Sequence, residues 1–311
     1  MVHELGEFSK PICLLFLVTR GASPVSWEEW KKMQIDAHHH FWNPARSDYG
    51  WIPEENTTLN RTYGPTDIAT HLNAAGIDAT ILVQAAPSIG ETEYMLGIAD
   101  AVSHVAGVTG WVDFENSAHK SELIRLAGHP KLRAIRPMIQ DIPDDNWMLR
   151  DEVQWGFKMT TDLGLCFEAL GFPRHINNFL TIFTRYPDMK VVINHCMKPQ
   201  IAARDKAQFN VWADGITRLA LETSSYCKFS ALITEADKNW QVEDLRPYAD
   251  HVIDSFGAER VMWGSDWPVC RLRGEYAEWR TAALELTADL NKAEHAAIYG
   301  GTANKFYDLE M

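Results

Sequence analysis

Ile35-Asp36-Ala37-His38-His39-His40-Phe41-Trp42 begins as a short apolar strand and ends in three consecutive histidines. Alternate side chains of an extended segment share a face, so His38 and His40 point one way and His39 the other. Counting 34–37 as the first strand, seven more short runs follow at 79–84, 108–112, 132–137, 165–169, 190–194, 227–230 and 260–263. All are mostly apolar, as strands buried on both faces are. Segments of helical periodicity lie between them, clearest at 67–75, 91–105, 176–185, 209–221, 245–256 and 276–290. Thr66 and Ser121 read as helix caps, and Gly76, Gly107, Gly164 and Gly257 as helix stops. Eight strands alternating with helices predict a single-domain α/β protein of the (β/α)8 type, a TIM barrel. An open doubly wound sheet is the competing architecture. No GxGxxG follows the first strand, however, and no GxxxxGK[ST] occurs in the chain.

The length of 311 residues accommodates one such barrel, which typically needs about 250. A composition 46% hydrophobic and 23% charged fits a soluble globular protein. No apolar run approaches the ~20 residues that span a bilayer. The formal net charge of −13 argues against nucleic acid, whose binding needs a basic face. The expected partner is a small molecule in the cytoplasm, with homo-oligomerisation left open. The five cysteines (Cys13, Cys166, Cys196, Cys227 and Cys270) are odd in number and form no CxxC pair. That pattern fits a reducing compartment, with Cys166 and Cys227 as small buried hydrophobes.

Residues 1–32 read as a leader or an N-terminal extension. Pro11-Ile12-Cys13-Leu14-Leu15-Phe16-Leu17-Val18 is apolar and Lys10 precedes it, but Glu4 and Glu7 spoil the positive start of a signal peptide. Met33 stands directly before the first strand, so the barrel is expected over 33–311.

Barrel chemistry sits at the C-terminal ends of strands and on the loops that follow. Side by side at such a mouth, His38 and His40 can bind a divalent metal or orient a carbonyl; a merely His-rich turn is the alternative. The sixth strand ends Val191-Val192-Ile193-Asn194-His195-Cys196-Met197-Lys198-Pro199. This adds His195 to the mouth and places Lys198 to hold an anionic or hydroxyl-rich substrate. The eighth ends Val261-Met262-Trp263-Gly264-Ser265-Asp266-Trp267-Pro268-Val269. Asp266 there can take a proton from water or ligate a metal. A helix cap is its alternative, made less apt by Pro268. Gln84, Asp113 and Arg136 close the second, third and fourth strands. The Arg136 fork suits a carboxylate, a lactone oxygen or an oxyanion. Glu168 in the fifth strand is a further metal ligand or the partner of a basic neighbour. Trp42, Trp51, Trp240 and Trp267 fall near strand ends, where aromatic faces pack on sugar rings.

Together these stretches resemble the amidohydrolase superfamily in its amidohydrolase-2 branch. Within it they are similar to the sugar-lactone hydrolases of the L-fuconolactonase and L-rhamnonolactonase kind. The narrower matches are His40-Phe41-Trp42, Lys198-Pro199, Thr234-Glu235-Ala236 and Gly264-Ser265-Asp266-Trp267-Pro268-Val269. Val83-Gln84-Ala85, Gly110-Trp111-Val112-Asp113 and Tyr299-Gly300-Gly301-Thr302-Ala303 add to them, and the likeness runs from about Met33 to Tyr307. The resemblance implies water attack on a sugar-lactone carbonyl, with Asp266 relaying the proton and His195 assisting. It implies that His38, His40, His195 and Asp266 hold one divalent metal, Zn2+, or none, with Glu168 a lesser ligand. Trp51, Gln84, Arg136, Lys198 and Trp267 would bind the sugar. The strand-four lysine that bridges two metals in many members is absent, and Arg136 is the basic residue in that strand, which speaks against a binuclear site. A metal-dependent decarboxylase of the same branch, acting on an unsaturated or aromatic carboxylate, is the alternative reaction. A barrel that only binds is the alternative without catalysis.

Overall fold

The computed structural model describes residues 33–309. Eight strands run Ile35–His39 (β1), Ala79–Val83 (β2), Val105–Gly110 (β3), Leu132–Ile135 (β4), Cys166–Ala169 (β5), Val191–Ile193 (β6), Tyr226–Phe229 (β7) and Val261–Trp263 (β8). They form one parallel sheet in sequence order. A helix follows each strand in turn: Pro65–Ala75, Ile89–Ala101, His119–Ala127, Gln154–Asp162, Ile176–Arg185, Lys206–Glu222, Val242–Phe256 and Tyr276–Leu286. This is the expected (β/α)8 barrel. The helix Ile176–Arg185 shows why the pattern works. It buries Ile176, Phe179, Leu180, Ile182 and Phe183 along one stripe, the spacing of an amphipathic helix laid on a sheet. The last helix, Thr302–Tyr307, packs Phe306 and Tyr307 with Ile35, Ala79, Cys166 and Val192, closing the end of the barrel opposite the strand C-termini.

Side chains close the barrel as much as backbone does. β1 and β8 meet through His40 N donating to Trp267 O at 2.7 Å and Asp266 N donating to His38 O at 2.7 Å. Deeper in the seam the Asp36 carboxylate takes the place of a ladder acceptor. Its Oδ1 accepts from Ser265 N at 2.9 Å and His38 N at 3.2 Å, and its Oδ2 from Tyr276 Oη at 3.1 Å. Burial raises the Asp36 pKa to about 6, with the Ser265 hydrogen bonds pulling it back. Gly264 is required here, because a Cβ would stand 2.7 Å from His38 Cβ.

Several local expectations are corrected. Thr66 and Ser121 cap nothing: the helices start earlier, at Pro65 after Gly64 and at His119 after Ala118. Ser88 is a true cap, accepting from Glu91 N. Gly76 and Gly257 do end helices with positive φ, but Gly107 lies inside β3. A Cβ at Gly107 would meet Arg133 Cγ at 2.9 Å, so the glycine serves close strand approach. Cys166, Cys196, Cys227 and Cys270 are buried free thiols. Cys13 and the apolar run 11–18 lie outside the described residues. Among the described residues, no helix is long and apolar enough to cross a membrane.

Candidate active site

Four side chains from three strand ends converge at the barrel mouth. His38 Nε2 lies 3.2 Å from His40 Nε2. Asp266 Oδ1 lies 3.3 Å from His40 Nε2, 3.7 Å from His38 Nε2 and 3.9 Å from His195 Nε2. All four residues are at most 4% exposed. As alternation requires, His39 turns away, to the Thr80 hydroxyl at 2.9 Å. Burial drives the pKa of His38 and His195 well below the ordinary imidazole value, and that of His40 down despite Asp266 beside it. Burial alone would raise Asp266, but the neighbouring His195 and His40 outweigh it and hold the pKa low. Near neutral pH the centre is therefore one carboxylate among neutral imidazoles.

His195 is presented by an unusual turn. His195, Cys196, Met197 and Lys198 all have positive φ, at 55°, 51°, 59° and 49°. Non-glycine residues avoid this region, at an expense of order 1–3 kcal/mol each, and it clusters at functional sites. The turn is pinned by Trp212 Nε1 donating to Cys196 O at 2.8 Å and by Ser230 Oγ at 2.9 Å from His195 Nδ1.

Beneath the mouth lies a second polar layer, fully enclosed. Lys228 Nζ pairs with Glu168 Oε2 at 2.7 Å, both side chains being 0% exposed. Glu168 also accepts from Thr109 Oγ1, Asn194 Nδ2 and Tyr307 Oη at 2.5, 3.0 and 2.7 Å. Burial would raise its pKa, yet Lys228 and Arg136 hold it down to about 2. Burial lowers Lys228 to about 8 against the pull of Glu168.

The sequence matches the amidohydrolase family across residues 35–309, nearly the whole barrel. The chain belongs to the amidohydrolase family. This amidohydrolase is 37% identical over 281 residues to an L-fucono-1,5-lactonase of Burkholderia ambifaria, covering 89% of this chain and 96% of the relative. It is 32% identical over 287 residues to an L-fucono-1,5-lactonase of Burkholderia multivorans, at 89% and 96% coverage. Among solved structures, an amidohydrolase of Burkholderia multivorans with bound zinc superposes with a TM-score of 0.84 at 31% identity, covering 89% and 99%.

Among the described residues of this amidohydrolase, His38, His40 and Asp266 form a group able to hold a metal, with ligand atoms within 4.8 Å of one another. Two imidazole nitrogens and a carboxylate oxygen are donors that suit a divalent ion such as zinc. His195 stands at the edge of that group. Glu168 does not join it, because its oxygens are taken up by Lys228, Thr109, Asn194 and Tyr307; the ion-pair alternative is the one observed.

The residues read as sugar contacts fall into two sets. Arg136 is buried beside the centre, with Nη1 3.1 Å from Asn194 Oδ1 and 3.5 Å from His38 Nε2, and Nη2 donating to Gln84 O. Gln84 Nε2 donates back to Arg136 O at 2.8 Å, leaving its Oε1 without a partner. Lys198 is half-buried, 3.7 Å from Glu235 and over the Phe172 ring. Trp51 remains 39% exposed and lines a cavity of about 520 Å³ with Trp111, Asp113, Pro137 and Trp147. Trp267 differs from this picture: it is 1% exposed, with Phe41, Tyr63 and His71 packed around it. Its ring Nε1 is buried without a hydrogen-bond partner. Trp42 is likewise buried, donating to Leu59 O and Arg61 O.

Sequence reasoning missed Lys228, Asn194, Ser230 and Glu91. Lys228 had a signal, a lone charge inside the apolar strand Tyr226–Phe229. Glu91 had only its place in the first turn of a helix. There it accepts from Ala85 N and Ala86 N and ties down the loop after β2.

Proposed function

We propose that this amidohydrolase opens a sugar lactone, of the L-fucono-1,5-lactone type, to the aldonic acid. The observation that carries the reading is the Asp266 carboxylate held within 3.9 Å of three buried imidazoles beside Arg136. The two relatives aligned over nearly the whole chain are both named L-fucono-1,5-lactonases, which favours lactone hydrolysis over the decarboxylase alternative.

The lactone carbonyl sits over the centre, its hydroxyls toward Lys198 and the cavity beside Trp51. Asp266 removes a proton from a water as the water oxygen attacks the carbonyl carbon. The tetrahedral oxyanion faces His195 and the Arg136 guanidinium, whose donors are held in place before the reaction begins by Asn194 and Gln84. A well-placed donor of this kind is worth on the order of 3–4 kcal/mol. The bond from the acyl carbon to the ring oxygen then breaks, and Asp266 returns its proton to that leaving oxygen. A divalent cation, when held by His38, His40 and Asp266, supplies Lewis-acid polarisation of the carbonyl.

The test is acid release from a panel of aldonolactones, followed with a pH indicator, with and without added Zn2+ and chelator. Turnover of an L-fucono-1,5-lactone-like member supports the reading. Inertness toward every lactone under both conditions, with CO2 released from an aromatic acid, would replace it with the decarboxylase.

A further inference from the structure

The hydrogen positions on two of the three histidines follow from their partners. His40 Nδ1 lies 2.7 Å from Val83 O. A carbonyl only accepts, so the His40 hydrogen is on Nδ1 and Nε2 turns a lone pair to the centre. Metal-binding imidazoles have this arrangement, with the outer nitrogen donating to a carbonyl or carboxylate. His38 has the opposite surroundings. Its Nδ1 lies 3.2 Å from Lys228 Nζ, an ammonium that also donates to Glu168. An ammonium has donors and no acceptor. His38 Nδ1 is therefore the acceptor, and the ring hydrogen is on Nε2. From there it reaches the His40 Nε2 lone pair at 3.2 Å. Donation thus runs from Lys228 to His38, from His38 to His40 and from His40 to Val83. Arg136 Nη1 is the one donor that opposes this order, and at 3.5 Å from His38 Nε2 it makes the longest of these contacts, with a nearer acceptor for one of its two hydrogens in Asn194 Oδ1 at 3.1 Å. His195 carries no such polarity, because the Ser230 hydroxyl beside its Nδ1 serves either tautomer.

We propose that Lys228 is a positioning residue that holds His38 as an N–H donor, so that His38 favours an oxygen of the substrate over a divalent cation. A cation can use the His38 Nε2 lone pair only if the ring hydrogen moves to Nδ1, where it would face the Lys228 ammonium. The affinity of the centre for metal is thus set from outside its ligand group. The substrate half of this inference rests on the lactonase reading, and the metal half stands without it.

The experiment is an equilibrium Zn2+ titration against a competing chelator, on the wild type, Lys228→Met and the double variant Lys228→Met/Glu168→Gln. The double variant strands no buried charge and leaves the net charge beside the centre unchanged, so it serves if the single variant fails to fold. In parallel, 15N NMR of the metal-free wild type, labelled at histidine, reports which His38 nitrogen bears hydrogen. The expected results are a wild-type His38 protonated on Nε2 and zinc bound about tenfold tighter by the folded double variant, a scale on which outer partners tune metal sites. Zinc affinity unchanged or weaker in the double variant, or a wild-type His38 protonated on Nδ1, overturns the inference. Neither measurement uses a lactone, so a failure of the lactonase reading shows separately, as absent turnover in the wild type.

Discussion

The two polar layers of the barrel are built on opposite plans. In the lower one every oxygen of Glu168 is engaged, and its charge is met by Lys228 at 2.7 Å. In the upper one acceptors outnumber donors: Asp266 Oδ1 stands 3.3 to 3.9 Å from the imidazole nitrogens, and His40 Nε2 turns a lone pair to the same space. Burying acceptors in excess of donors is unfavourable. A layer that persists this way has an unmet demand for a water proton, a substrate or a cation. A saturated layer has none, and its work is to hold the upper one in place.

The largest expected effect breaks the upper layer alone. Asp266→Asn should lower kcat by about 10^4-fold, the upper range for a positioned general base, while circular dichroism and denaturation midpoint stay close to wild type. Full turnover in that variant would remove Asp266 from the mechanism. The lower layer should respond in the reverse way. Glu168→Ala strands the Lys228 charge in the core and should cost about 3–5 kcal/mol of stability, measured by urea denaturation. A midpoint unchanged from wild type would mean that the layer is not a structural support.

A third glutamate sharpens the contrast. Glu91 is buried and accepts from backbone N–H groups much as Glu168 accepts from side chains, but among the described residues no cation is paired with it. Burial raises its pKa to about 7, against the pull of the Ala86 and Ala85 hydrogen bonds, whereas Glu168 beside Lys228 falls to about 2. The folded state thus binds the Glu91 proton more tightly than the unfolded chain. Its contribution is complete below the ordinary glutamate value and is lost as pH rises through about 7. Glu91→Gln should flatten the pH dependence of stability between these limits, removing a change of ~3 kcal/mol by linkage. Denaturation midpoints at three pH values check it. An equally steep profile in the variant would place the dependence elsewhere. The smallest effect is expected at Trp51, whose exposed face lies outside both layers. Trp51→Ala should raise KM about fivefold, a loss near 1 kcal/mol, with kcat little changed.

The upper layer was legible in the sequence because its residues stand at strand ends, where period-two alternation separates His38 and His40 from His39. Of the lower layer Glu168 was legible, with an ion pair to a basic neighbour as one of its two readings, but Lys228 was not, because it sits in mid-strand 60 residues away. Nothing local announces such a pair. The turn of His195 to Lys198 carries no glycine, so its left-handed backbone had no marker. Gly107 misled for the opposite reason: a glycine needed for strand contact looks like one that ends a helix. Trp267 was placed at the mouth by its neighbours in the chain, whereas its packing against Phe41 and Tyr63 had no signal there.

The seam between β1 and β8 also bears on how the molecule comes into being. Asp36 and Ser265 are 229 residues apart, and Tyr276 is farther still. A contact between chain ends of that separation entails the greatest loop-closure entropy and is made late in folding. His38 and His40 arrive on one side of that seam and Asp266 on the other. Until that seam closes, the two halves of the catalytic centre are not together. Turnover would return after denaturation only with the final closure step, later than recovery of helical signal, so activity itself serves as the clock for completion of the fold.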